Sequence, residues 1–405
     1  MNRAFFISVC HPGRYPQNLT YHGDNVKWPD SQLLALPVSV DFLRWYNGAG
    51  NHPGEAAMHE VMLYDRLPDK RVRCRDCQWE CVINPSRFGV CRMRRNDDGV
   101  LHVLNYAEVS SAAADPIEKK PLFHFFPGTR VFSLGTWGCN FHCIHCQNWE
   151  ISFGAPGDSM RHSQKLSPQA AIDMTKHYQC DGISWTYNEP AIWFEYTYDS
   201  ARLAKESNLY TVYVTNGYIT AEALDLIGPY LDAYRVDIKG FSDAFFQQLC
   251  KVSRWRGILD VAKRAQEKWG MHVEAVTNII PTMNDDEAQL RGIAEWIREN
   301  LGALTPWHVT RFYPHHDLSH LPPTPVKTLE RALAIGKEAG LRFVYVGNVP
   351  GHDGENTVCY NCGRLAVRRY GYQTELVGLK GSRCSNCGAD LNIKTRGWVR
   401  SHEGA

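Results

Sequence analysis

The sequence carries almost no surplus of charge: 44 Lys and Arg stand against 43 Asp and Glu over 405 residues. A chain this balanced has no global field to draw nucleic acid or an anionic membrane, which argues against a partner chosen by bulk charge. Nor does it hold an apolar run near the ~20 residues needed to span a bilayer. Met1 to Cys10 contains one arginine and a short apolar patch, too brief and too poorly flanked for a secretory signal. Internal repeats and low-complexity tracts are missing as well. These absences predict a cytoplasmic globular protein, with the length for one large catalytic domain and smaller attachments.

Regular patterning is also scarce in residues 1–57, where Gly, Pro and Asn recur (HPGRYPQN, NGAGNHPGE) and only Ser31 to Trp45 suits a short helix. This stretch reads as a loosely structured extension, with organised sequence beginning at Met58. Residues 58–130 form a cysteine-rich region. Residues 131–350 then alternate apolar strands with helical stretches. VFSLG (131–135), GISWTY (182–187), YTVYVT (210–215), AYRVDI (233–238), HVEAVTNII (272–280), WHVTRF (307–312) and RFVYVG (342–347) read as strands. Residues 168–178, 191–207, 286–300 and 326–340 read as helices, the last ending on Gly340 as a natural C-cap. Such alternation predicts an α/β fold, a full or partial parallel (β/α) barrel, with a doubly wound open sheet satisfying the same periodicity. Residues 355–400 form a small tail. In a barrel, chemistry sits at the carboxyl ends of the strands.

What is plentiful is cysteine. There are 14, and 11 fall into three tight groups; in a long intracellular chain such grouping reads as metal binding rather than as a disulfide framework. Cys10, Cys180 and Cys250 are left over and read as plain buried thiols. The central group is Cys139-x3-Cys143-x2-Cys146, directly after a strand. Three thiolates on one compact loop can hold three irons of a [4Fe–4S] cubane and leave the fourth open to an outside molecule. A closed zinc site wants a fourth ligand, which His142 or His145 could supply. The first group, Cys74-x2-Cys77-x3-Cys81-x9-Cys91, offers four thiolates for zinc or for a second cluster, with a lean towards zinc. The last, Cys359-x2-Cys362-x21-Cys384-x2-Cys387, with Gly363 and Gly388 after each pair, has the form of a zinc ribbon. Its metal would fold a tail too small for its own core.

The central loop resembles the signature of the radical S-adenosylmethionine superfamily. Together with DPIEKKPLFHF (115–125), GTWGCNFHCIHCQNWEIS (135–152), TYNEP (186–190), VTNGY (214–218) and VGNVPGH (346–352), it resembles the radical enzyme of the AmmeMemoRadiSam system, a family related to the pyruvate formate-lyase activating enzyme. The resemblance covers roughly residues 58–395. It implies reductive cleavage of S-adenosylmethionine by a cluster on Cys139, Cys143 and Cys146. An electron donor such as flavodoxin or ferredoxin is implied too, as are Memo-like and AMMECR-type partner proteins. It further implies that His145, where the family carries an aromatic residue, stacks near the adenine. Asn188 and Glu189 stand where activating enzymes carry a glycine-rich motif facing the methionyl amine, with Asn188 in place of a glycine. Thr215 and Asn216 would reach the ribose, Asp237 and Lys239 would contact the methionyl group, and His308 would face the cofactor. Two other readings remain: an activating enzyme for a glycyl-radical protein, and a non-catalytic zinc-ribbon module binding RNA or protein. Near-neutral charge weighs against RNA.

Overall fold

The computed structural model describes residues 58–154, 156–157, 159–398 and 400, together with the backbone of Leu36–Pro37. The remainder of the N-terminal extension, Cys10 included, lies outside the described residues. Within the span expected to form a helix, Leu36 and Pro37 instead make a two-residue strand, paired antiparallel with Ala113 and Ala114.

All seven expected strands form. We number them after an added strand, β1 (Ser111–Pro116): β2 (Arg130–Gly135), β3 (Gly182–Trp185), β4 (Tyr210–Thr215), β5 (Ala233–Asp237), β6 (His272–Ile279), β7 (Trp307–Arg311) and β8 (Val344–Gly347). β2 to β8 are parallel, and β1 runs antiparallel to β2, between it and the short Leu36–Pro37 strand. The spatial order follows the chain order without reversal. A doubly wound sheet would reverse at a switch point. Monotonic order with right-handed crossovers instead puts every helix on one face and leaves the other face inside. The sheet wraps as well. The segment Phe123 to Phe125 reaches β4 through Tyr210, β6 through His272 and Glu274, and β8 through Tyr345. Among the described residues β8 does not pair with β1, so this is a partial barrel.

The outer layer comprises α1 (Pro168–His177), α2 (Phe194–Glu206), α3 (Ala221–Ile227), α4 (Gly257–Glu267), α5 (Glu287–Asn300) and α6 (Val326–Glu338). Ser167 and Asp286 cap α1 and α5 by accepting from the backbone N–H three residues on. The apolar faces of these helices bury against Val273, Ala275, Trp307, Val309 and Val344. Among the described residues no helix is long and apolar enough to cross a membrane.

Alternation along the strands sends Arg235, Asp237, Glu274, His308 and Tyr345 to the inner face. Ahead of β1, residues 59–103 build two small three-stranded sheets. Buried Arg94 ties them down, bonding Asp76 through Nε at 2.7 Å and pairing with Glu195 of α2 at 2.8 Å. At the other end, strands of the tail close over the amino ends of the barrel strands. Phe123, Phe343 and Tyr345 pack there with Ala366, Val367, Leu391 and Ile393.

Candidate metal centre and cofactor site

The loop after β2 carries Cys139, Cys143 and Cys146. Cys143 is buried and the other two are partly exposed. Among the described residues the three sulfurs do not converge within 4.8 Å of one another, although Cys139 feels the charge of both other thiols and Cys146 that of Cys143. One metal ion cannot gather them at that spacing. A cubane can, because each thiolate takes its own iron corner. The donor set is all sulfur, so the residues present fit the cluster that the spacing implies.

Side chains from the next two strand ends hold this loop in shape. Asn188, after β3, accepts from Thr136 N at 3.1 Å and donates to the Gly138 carbonyl at 2.7 Å. Asn216, after β4, donates to Asn140 Oδ1 at 2.8 Å and approaches Cys139 Sγ at 3.9 Å. Both oxygens of Glu189 are taken: Ala191 N and Thr215 Oγ1 donate to one, at 3.0 and 2.7 Å, and Asn216 N donates to the other at 2.8 Å. Burial pushes its carboxyl up to about 7, against the pull of these donors. Glu189 and Thr215 therefore lock two strand ends together, and Asn188 and Asn216 brace the cysteine loop.

Asp237 ends β5 and Lys239 follows two residues on, with Lys239 Nζ 2.7 Å from Asp237 Oδ2. Arg235, which sequence reasoning passed over, pairs with the other carboxylate oxygen and donates from Nε to the Lys120 carbonyl. Burial opposes the charge on Asp237, but Arg235 and Lys239 hold its carboxyl below the usual range. Asp115, at the start of DPIEKK, takes Lys119 at 2.9 Å, Lys120 at 2.6 Å and the Tyr187 hydroxyl at 2.9 Å. Tyr187 holds a left-handed φ of 73°, a cost tolerated where surrounding contacts enforce it. The inner face thus carries two cations on each of two carboxylates.

His145 is 9% exposed, and its Nδ1 has no hydrogen-bond partner. Burial pushes the imidazole down to about 3, so the ring is neutral. Beside it stands a residue the sequence reading dismissed. Cys250 ends a π-helical turn, Phe246–Cys250, and its thiol lies within 4.8 Å of both Cys143 and His145. The same turn accepts backbone bonds from His142 and Ile144. At more than a hundred residues' remove, no spacing motif signals Cys250.

His308 has different neighbours from those expected. Its Nε2 meets Glu274 at 2.6 Å, Phe123 packs edge-on and Tyr345 stacks on it. Glu274 also takes His272 Nε2 at 2.9 Å and the backbone N–H groups of Phe123 and His124. Among the described residues His308 makes no hydrogen bond or ring contact with the cysteine loop. It belongs to a closed polar core near the amino ends of the strands.

In the tail, Cys359, Cys362, Cys384 and Cys387 converge within 4.8 Å, with Cys359–Cys387 and Cys362–Cys384 sulfurs each 3.6 Å apart. Sulfurs set tetrahedrally about 2.3 Å from one zinc ion would stand about 3.8 Å apart. Gly363 and Gly388 take φ of 72° and 73° and close each knuckle by donating to the first cysteine's carbonyl at 2.9 Å. Cys74, Cys77, Cys81 and Cys91 are neighbours electrostatically but do not close to this spacing.

Comparison with known proteins gives the family. The Radical SAM superfamily model matches residues 135–297. An uncharacterized protein of Methanocaldococcus jannaschii, MJ0808, is 43% identical over 338 residues, covering 83% of this chain and 99% of that protein. The chain belongs to the radical SAM superfamily. It is also similar to the pyruvate formate-lyase-activating enzyme of Clostridium pasteurianum, 23% identical over 42% of this chain and 72% of that one. Among solved structures, a radical SAM methyltransferase from Sphaerobacter thermophilus aligns with TM-score 0.42 and 16% identity, over 55% of this chain and 67% of that chain.

Proposed function

We propose that this chain is a cytoplasmic radical S-adenosylmethionine enzyme of the AmmeMemoRadiSam type, whose cluster ligands are Cys139, Cys143 and Cys146. The observation that carries the reading is the cysteine loop itself: three thiols spread wider than one ion can gather, braced by Asn188 and Asn216 from successive strand ends. With cluster and cofactor bound, the chemistry supplied is reductive cleavage to a 5′-deoxyadenosyl radical that takes a hydrogen atom from substrate. The protein's own work is positioning and exclusion of water. Asp237 and Lys239 orient the methionyl group, with Arg235 setting the carboxylate. The neutral ring of His145 packs at the adenine. Glu189 and Thr215 keep the two strand ends in register, and Asn216 reaches the ribose side. The tail cysteines hold zinc.

Flavodoxin or ferredoxin serves as donor, and Memo-like and AMMECR-type proteins are the partners. Support for this system is the run DPIEKKPLFHF, whose Asp115, Lys119 and Lys120 line the inner face. Reconstituted protein given S-adenosylmethionine and dithionite is expected to release 5′-deoxyadenosine, and Cys143→Ala to reduce release to background. Equal background release from both proteins would sink the reading.

Likeness to a pyruvate formate-lyase-activating enzyme favours a second reading, in which the hydrogen comes from a protein glycine. Deuterated candidate substrates decide between the two. Label passing into 5′-deoxyadenosine from a small molecule, and not from a glycine-labelled protein, would exclude it.

A further inference from the structure

The three cysteine groups calibrate one another. The tail group closes on a point suited to one ion, while the radical loop, whose family chemistry is a cubane, does not close. The first group also supplies four thiols. Cys74, Cys77 and Cys91 are buried and Cys81 is partly exposed; Cys74 feels the charge of Cys77, Cys77 that of Cys91 and Cys81, and Cys91 that of Cys81. Yet among the described residues no three of them gather within 4.8 Å. By the measure that separates the other two groups, the first belongs with the radical loop. Four thiolates held apart suit four irons of a cubane and leave none open.

Its position is as telling as its spacing. Gly138, the residue before Cys139, has φ 85°, and a Cβ there would stand 3.0 Å from the Cys91 carbonyl oxygen and 2.8 Å from Met93. Trp79, between Cys77 and Cys81, donates from its indole to the Asn140 carbonyl at 2.8 Å. Cys77 bridges to Ile219, and Gln78 N donates to the Tyr218 carbonyl, so the same turn also grips the chain leaving β4. The first group is therefore packed against the backbone of the radical loop, and its Cys81 side reaches the surface beside exposed Val82 and Phe88.

We propose that Cys74, Cys77, Cys81 and Cys91 hold a second [4Fe–4S] cluster, through which electrons pass from the surface to the radical loop. One electron moves from an external low-potential donor, flavodoxin or ferredoxin, to this cluster, taking it from the 2+ to the 1+ state, and then onward; no bond changes and no proton moves. The ligand assignment stands independently of the radical reading, whereas the relay rests on it.

Metal analysis of the anaerobically reconstituted full chain tests the ligands without perturbing the fold. About eight irons, about eight sulfides and about one zinc are expected per chain. About four irons with about two zincs would overturn the assignment. In a Cys139→Ala/Cys143→Ala/Cys146→Ala variant, about four irons and an electron paramagnetic resonance signal after dithionite reduction should persist. An iron-free variant that keeps the wild-type circular dichroism spectrum would also overturn it. For the relay, Cys81→Ser is expected to slow flavodoxin-driven 5′-deoxyadenosine release at least ~10-fold while the iron of the radical loop remains. A rate equal to wild type would remove the relay and leave the metal count standing. Failure of wild-type cleavage would fall on the proposed function instead.

Discussion

The two ends of the barrel use buried polar groups in opposite ways. Near the amino ends of the strands, Glu274 accepts from two imidazoles and two backbone amides. His124 Nε2 meets the Tyr345 hydroxyl at 2.5 Å, and Tyr345 meets Thr357 of the tail at 2.8 Å. Arg369 closes this end, donating to the Phe123 carbonyl at 2.7 Å and lying over the Phe123 ring. At the carboxyl ends, backbone-to-side-chain bonds shape a loop of thiols, and the carboxylate of Asp237 is shared by two cations. The difference teaches that the same strands can be plugged at one end and left ready to bind at the other. What separates the ends is whether the tail covers them, because a buried polar group without a partner costs far more than a satisfied one gains.

The comparison breaks most severely if the plugged end is opened. Glu274→Ala would strand two histidines and two amides in a buried site, and about 3–5 kcal/mol of stability should go. Chemical denaturation reads this directly. A loss below ~1 kcal/mol would show that water or neighbours replace the carboxylate and that the network is not a plug.

A middle-sized effect belongs to the open end. Asp237→Asn keeps the shape and removes the charge shared by Arg235 and Lys239. Iron content should stay, while S-adenosylmethionine binding weakens about ten- to a hundredfold, equivalent to about 1.5–3 kcal/mol. Titration of the cofactor against the reduced cluster by electron paramagnetic resonance decides the matter. A binding curve overlying the wild type would make the triad structural and the two ends alike.

The smallest effect sharpens the contrast through pH. Burial pushes the His124 imidazole down to about 3, and His308 is lowered for the same reason. Unfolded, each titrates near pH 6.5. Below that value the unfolded chain binds protons that the fold refuses, so stability falls as pH drops from ~6.5 towards ~3. Denaturation midpoints at pH 7.5 and 5.5 should diverge less for His124→Asn than for wild type. An unchanged divergence would mean that His124 accepts a proton in place.

Much of this was legible in the residues. Strand periods place β2 to β8 to within a residue or two, and Ser167 and Asp286 announce α1 and α5. C-x3-C-x2-C after a strand marks the radical loop, and the paired knuckles mark the tail. These are local signals, since a strand's alternation, a cap and a short loop depend on neighbours along the chain. Elements without such signals were missed: α3, α4, the added antiparallel strand β1 and the π-helical turn. The strand-end residues were found by type, but their work was not, because Asn188 and Asn216 act on a loop contributed by another strand.

The sequence by itself determined the α/β class, the succession of strands and helices along the chain and the three places where sulfur gathers, because each is written in contiguous residues. Only the tertiary structure decided how far apart those sulfurs stand. It brought Cys250 against Cys143, set Arg235 on Asp237, and turned His308 towards Glu274 and away from the cysteine loop. It also brought the first cysteine group against the radical loop. Such contacts join residues tens to hundreds of positions apart, and side-chain direction across a wrapped sheet depends on packing that no window of sequence contains.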